Sequence, residues 1–310
     1  MSRTLSFNLA TVDLDGVMSA ALEMEGNYWP LLALRDYGFV VPPLSMKELI
    51  EDWPASFAVL NELAHTIATD ADLARLKLSP SGQRLALAIQ HPSKLIAVGA
   101  NYLSHLKEMG LPQEKWPLMP FFFVPPTTTM LGTGGFVRMP RDTHKLDWEI
   151  ELAVVIGKRM SNVDLDEAMD GIAGYAVGVD LSARDLFRPA LSPTQVDVAR
   201  AKGQDTMKPF GPFITPAAFI TNPHDLAMRL TVNGRVRQES RTSEMMYRID
   251  EQISIISQFT TLEPGDVLFT GTPAGSATVD GYFLAPGDRI IAEIEGIGKL
   301  NVQIASARPA

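Results

Sequence analysis

The 310-residue chain contains no cysteine. That excludes a disulfide framework, a thiolate metal site and a cysteine nucleophile, so any metal must be held through oxygen or nitrogen, which points to a hard cation. Basic residues are the minority: 27 Lys and Arg stand against 36 Asp and Glu, for a formal net charge of -9. The positive footprint that nucleic acid or an anionic membrane surface requires is missing, so neither is an expected partner. Long apolar runs are missing too. No stretch approaches a membrane span, and the first residues lack the apolar core of a secretory signal, which makes the cytoplasm the expected location. What is present is a 46% hydrophobic content, enough at this length to bury a large core with a smaller unit beside it.

The pattern changes near residue 80. Before it, Phe57, Leu60, Ala64 and Ile67 recur at helical spacing, and residues 28–35 and 46–53 also read as short helices. Residues 1–80 are therefore expected to form a small helix-rich N-terminal domain, with a linker where turn residues gather at 78–82. Residues 81–310 read mostly as short strands, at 95–99, 136–139, 149–156, 174–181, 230–239, 267–270 and 289–294. Asn233-Gly234 is a hairpin signal, because both turn positions need positive φ. Ser243 is expected to cap a helix whose apolar stripe is Met245, Ile249, Ile253 and Ile256. The expected class is α+β with a dominant, curved or rolled sheet.

Residues 147–157 read Asp-Trp-Glu-Ile-Glu-Leu-Ala-Val-Val-Ile-Gly. In a strand, residues i and i+2 point the same way, so Glu149 and Glu151 project together at the mouth of an apolar run. Either they are solvated acids on an edge strand, or their repulsion is relieved by a cation or a proton. Asp180 ends a second apolar run, where it either caps a helix beginning near Ser182 or supplies a third carboxylate. Three carboxylates completed by water suit Mg²⁺ or Mn²⁺.

Several further segments share an order that is specific only in combination. They are Val-Gly-Ala-Asn-Tyr-Leu-Ser-His at 98–105, the acidic run at 146–157, Asp-Leu-Ser-Ala-Arg-Asp-Leu at 180–186, Lys-Gly-Gln-Asp-Thr at 202–206, Thr-Leu-Glu-Pro-Gly-Asp-Val at 261–267, Thr-Gly-Thr-Pro at 270–273 and Glu-Ile-Glu-Gly-Ile-Gly at 293–298. Over residues 91–302 the chain resembles the fumarylacetoacetate hydrolase family. The resemblance implies a mixed β-sandwich roll that forms homodimers, with Glu149, Glu151 and Asp180 as metal ligands and short 2-oxo or 2,4-dioxo acids as substrates. A 2-oxo carboxylate chelates a divalent ion through a carboxylate oxygen and the keto oxygen, which favours an enolate at the next carbon. Carbon–carbon hydrolysis, decarboxylation and tautomerisation all gain from that.

Hydrolysis alone needs an activated water. His105 and Glu108 sit three apart on a short helix ended by Gly110, so they share a face. Read alone they are either a surface ion pair or an acid–base pair in which Glu108 orients the imidazole; the resemblance implies the latter, on a lid bracketed by Gly99 and Gly110. It likewise implies that Lys202, otherwise a solvated loop residue, is an active-site lysine. Arg184 either holds a substrate carboxylate or pairs with nearby acids such as Asp185. Thr272 either presents its hydroxyl to a carboxylate or belongs to a tight turn.

Two positions depart from the family. Val124 stands where many relatives have Lys, and Phe187 where many have Gln. If both face the pocket, an apolar or aromatic tail is expected on the substrate in place of a second carboxylate. The triplet Phe121, Phe122 and Phe123 either adds to that lining or packs in the core. The leading expectation is a metal-dependent hydrolase of an acylpyruvate-like 2,4-dioxo acid. The alternatives are a decarboxylase or tautomerase of a related oxo acid, and a non-catalytic relative that binds an oxo acid or serves structurally.

Overall fold

The computed structural model describes residues 5–70, 72–78, 84–116, 120–188 and 196–307. Its main sheet runs in the order Asn27–Pro30, Val17–Met24, Asn8–Leu14, Lys208–Pro216, Ile172–Val179, Ile150–Ile156, Val267–Phe269, Leu95–Gly99 and Phe121–Phe123. A second sheet, ordered Arg235–Arg241, Ala227–Val232, Arg289–Ile294, Gly298–Ala305 and Phe136–Arg138, packs against it. Strand outweighs helix, and the α+β reading with a dominant sheet holds.

The central strand Ile150–Ile156 is buried along its whole length, and its alternation sorts two cores. Leu152, Val154 and Ile156 join the cluster shared with Leu230, Ile253 and Ile290, whereas Ala153 and Val155 join the one containing Leu9, Leu22, Leu60 and Phe269. Glu149 and Glu151 have the same parity as Ala153 and Val155, so the acids leave the strand on the second side, as the two-residue spacing predicts.

The helix-rich reading of residues 1–80 requires correction. The helix Trp53–Thr69 forms and buries Leu60, Ala64 and Ile67, and Met46–Glu51 is helical. Residues 8–30, however, hold three strands that extend the main sheet, with Leu9 opposite Ile214. The helix read from residue 28 begins at Leu31, because Asn27–Pro30 pairs with Val17–Met24. Alternation is hard to see in Asn8–Leu14 and Val17–Met24, since neighbours on both faces bury consecutive residues. One apolar cluster therefore crosses position 80. The expected linker residues 79–82 lie outside the described residues.

Asn233 and Gly234 both take positive φ and join Ala227–Val232 to Arg235–Arg241, as read. Ser243 does not cap the expected helix. It lies in the 3-10 turn Thr242–Glu244, and the helix is Ile249–Phe259, where the Glu251 carboxylate accepts the Arg248 N–H at 2.9 Å. Ile249, Ile253 and Ile256 form its buried stripe, while Met245 is buried outside the helix.

Candidate active site

Three carboxylates meet where the Ile150–Ile156 and Ile172–Val179 strands end side by side. The Asp180 N–H donates to the Glu149 carbonyl at 2.8 Å, which sets the third acid beside the first two. One oxygen from each of Glu149, Glu151 and Asp180 lies within 4.8 Å of the others, and all three residues are buried. Asp180 caps no helix: Ser182–Ala183 is a short strand, followed by the 3-10 turn Arg184–Leu186. The Ser182 hydroxyl donates to Glu149 Oε1 at 3.1 Å.

Cations answer these acids. Lys202 Nζ lies 2.7 Å from Glu149 Oε2 and 2.6 Å from Asp180 Oδ2. Arg184 spans Glu149 Oε1 at 2.6 Å and Asp147 Oδ2 at 2.7 Å. It does not pair with Asp185, which instead accepts from the Thr143 hydroxyl and the His144 N–H. The fully buried Lys208 reaches Asp180 Oδ1 at 2.6 Å and donates to the Lys202 carbonyl at 2.6 Å. Burial alone would raise the pKa of Glu149, but Lys202 and then Arg184 outweigh it and hold the carboxyl at about 2. Glu151 goes the other way, raised well above the usual range by burial first and the Asp180 charge next. Its Oε2 accepts the Gly271 N–H at 2.7 Å, while its buried Oε1 has no hydrogen-bond partner among the described residues. An orphaned carboxylate oxygen in a hard oxygen donor set fits a divalent cation, which would also favour the ionised form of Glu151.

The helix Leu103–Glu108 closes one side. His105 Nδ1 and Glu108 Oε2 are 2.7 Å apart, and the other Glu108 oxygen accepts from the Gly275 N–H at 2.8 Å and the Ser276 N–H at 3.2 Å. Burial would raise the Glu108 pKa, but its bonds to His105 and to the Gly275 backbone bring it below the usual value. Gly275 sits at φ +102, where a Cβ would approach the Arg237 carbonyl to 2.2 Å, so glycine is required to present that N–H. Gly110 ends the helix at φ +70, as expected. At the other bracket the left-handed residue is Ala100, not Gly99. Asn101 anchors the helix start, donating to the Tyr247 and Thr270 carbonyls at 3.0 and 2.8 Å.

The cavity between these parts measures about 290 Å³ and is lined by His105, Glu149, Glu151, Arg184, Lys202 and Thr272 on its polar side. Its apolar side includes Val98, Met109, Phe121, Phe123 and Phe187, with Arg188 at the exposed mouth. Phe187 thus faces the pocket as expected. Val124 does not: it is 56% exposed and absent from the lining, because alternation in the strand before it turns Phe121 and Phe123 inward. The Lys202 ammonium lies 5.5 Å from the Phe123 ring centre.

Sequence reasoning passed over Asp147, Arg188, Lys208 and Gln238. A lysine inside the apolar run 207–210 was a usable signal for Lys208, and Asp147 stood inside the acidic motif. Gln238 has no such mark, since only its pairing partners make it buried.

The family profile described as fumarylacetoacetate (FAA) hydrolase, C-terminal, matches residues 94–305. The chain belongs to the fumarylacetoacetate hydrolase family. An uncharacterized protein of Pyrococcus horikoshii is 41% identical over 216 residues, which is 69% of this chain and 88% of that protein. The mitochondrial oxaloacetate tautomerase of Xenopus laevis is 34% identical over 281 residues, 87% of this chain and 84% of that one. Maleylpyruvate hydrolase from Sphingobium, solved with manganese(II) and pyruvate, superposes with a TM-score of 0.76 at 25% identity, covering 97% of this chain and 100% of the other. Family members thus include hydrolases and tautomerases. Among the described residues, no helix is long and apolar enough to cross a membrane.

Proposed function

We propose that the chain is a divalent-metal-dependent hydrolase that cleaves a carbon–carbon bond in a 2,4-dioxo acid of the acylpyruvate type. The observation that carries this reading is that His105, 2.7 Å from Glu108, lines the same pocket as Glu149 and Glu151, beside which Asp180 lies. Glu149, Glu151 and Asp180 would hold Mg²⁺ or Mn²⁺, which supplies Lewis acidity to the substrate's keto and carboxylate oxygens. Glu108 accepts the Nδ1 proton of His105 and leaves Nε2 free to take a proton from water. That water attacks the distal carbonyl carbon. The bond from this carbon to the neighbouring methylene then breaks, its electron pair stays with the three-carbon fragment, and a proton returns there to give pyruvate and a second carboxylic acid. Lys202 steadies negative charge in the pocket, Arg184 fixes Glu149, and Thr272 meets the substrate carboxylate. Phe123 and Phe187 flank the acyl tail. A homodimer belongs to the same reading.

The likeness to an oxaloacetate tautomerase favours a second reading, proton transfer next to the keto group without attack by water, with decarboxylation as a related outcome. Binding without turnover is the least supported alternative, because Glu149, Glu151, His105 and Lys202 line one pocket. Incubation with a panel of acylpyruvates and oxaloacetate, with Mg²⁺ or Mn²⁺ and product identification, tests these readings. Two acids released from an acylpyruvate are expected. Enol–keto conversion of oxaloacetate with no acylpyruvate cleavage would favour the second reading, and loss of carbon dioxide would favour decarboxylation.

A further inference from the structure

Gln238 lies in the Arg235–Arg241 strand, 1% exposed, and its amide touches both halves of the site. Its Oε1 accepts the N–H of Ile150, the residue between Glu149 and Glu151, at 2.9 Å. Its Nε2 donates to the Pro273 carbonyl at 2.9 Å. A backbone N–H can only donate and a backbone carbonyl only accept, so these two contacts settle which end of the amide is which. The remaining amide hydrogen is directed at Thr272 Oγ1, also 2.9 Å away. Thr272 therefore receives a hydrogen bond on its oxygen and must place its own hydrogen elsewhere. Among the described residues no protein acceptor takes that hydrogen, and Thr272 lines the pocket while only 4% exposed.

We propose that Gln238 is a positioning residue that fixes the Thr272 hydroxyl as a hydrogen-bond donor into the pocket, so that the group received there is an anionic oxygen acceptor. A hydroxyl free to rotate would accept from a neutral donor as readily as it donates to a carboxylate; with one of its two lone pairs engaged from behind and its hydrogen turned to the pocket, Thr272 favours an acceptor. The same amide ties the backbone between the two glutamates to the loop carrying Thr272, and so sets the distance from the acids to the donor. This selection for a carboxylate rests on the oxo-acid reading of the pocket.

The test is a double-mutant cycle read as pyruvate affinity, by calorimetry on the intact Mn²⁺-loaded protein. Thr272→Val is expected to weaken pyruvate by about 10- to 100-fold, the worth of a hydrogen bond to a charged group, and Thr272→Ser to stay within about threefold. Gln238→Leu should weaken pyruvate by about tenfold when Thr272 is present and add little when Val stands at 272, since both changes remove one interaction. Additive losses in a protein that binds pyruvate would overturn the inference alone. A parent protein that ignores pyruvate would overturn the oxo-acid reading and the inference with it. Should Gln238→Leu fail to fold, the Thr272 pair decides: a Val variant that binds pyruvate as tightly as the parent refutes the donor role.

Discussion

Exchanging one oxygen of Glu108 for an amide tests the proposed chemistry with little disturbance of the fold. The carboxylate has two separate tasks: Oε2 meets His105 Nδ1 at 2.7 Å, and Oε1 takes the Gly275 and Ser276 N–H groups. In Glu108→Gln the remaining oxygen still serves the two backbone donors, so the helix stays docked. The new amide nitrogen then faces Nδ1 and can only donate. The imidazole proton must move to Nε2, which removes the lone pair that would receive a proton from water. The expected loss in kcat is about 10²- to 10⁴-fold, equivalent to roughly 3 to 5 kcal/mol of barrier; an Asp-to-Asn change behind a catalytic histidine has a comparable effect in serine proteases. KM and pyruvate affinity should hardly change. Glu108→Ala differs, because it leaves two N–H groups without their acceptor at about 1–3 kcal/mol each, so KM should rise as well. The assay is decay of acylpyruvate enol absorbance at neutral pH, with kcat and KM resolved separately. A Gln variant turning over at the parent rate would show that His105 does not act through this tautomer.

Four more outcomes follow from the same geometry. His105→Ala should suppress hydrolysis by about 10²- to 10⁴-fold while sparing any reaction that needs no water attack, and an unchanged rate on an established substrate removes His105 as the base. Glu149→Gln should weaken Mn²⁺ binding sharply in a calorimetric titration, since a charged ligand is lost from a hard-cation site; unchanged affinity in this and the matching Glu151 and Asp180 amide variants would refute the metal assignment. Phe187→Gln should lower kcat/KM most for acylpyruvates with apolar tails, where each buried methylene contributes about 0.8 kcal/mol, whereas Arg188→Gln should penalise acid-tailed ones and the exposed Val124→Lys neither; equal effects on both tails would refute the division. The Glu108 pKa is lowered on folding, so its contribution to stability is present above the usual glutamate range and is lost as pH falls through the lower folded value. The Tm advantage of the parent over Glu108→Gln should therefore shrink on acidification, and a gap that does not change with pH contradicts this.

The two-residue spacing of Glu149 and Glu151 was legible because strand alternation is a local rule. The i,i+3 spacing of His105 and Glu108 was legible because helical pitch is one as well. Neither rule could say that Asp180 would arrive beside Glu149, which depends on register between two strands, and there the resemblance to known sequences supplied what local rules lacked. Val124 misled for the opposite reason: a family position was read as pocket-facing although the Phe121–Phe123 alternation points its neighbours inward. Residues 8–30 were missed because burial on both faces erases the period of a strand, and Gln238 because its role arises from contacts with residues more than thirty positions away.

The order of the main sheet decides which strand edges are left open. The strand Asn8–Leu14 shields the far part of Lys208–Pro216, and the margin passes outward to Asn27–Pro30, which ends in a residue with no N–H to offer another chain. A version shortened to begin after residue 80 would present Ile214 and its neighbours as a bare, apolar template in solution. It would also strip the cover from Ala153, Val155 and Phe269 directly behind the acids. The opening segment thus occupies the edge of Lys208–Pro216 that would otherwise be open to strand pairing, and the strands that carry the acids lie inside the sheet with a neighbour on either side.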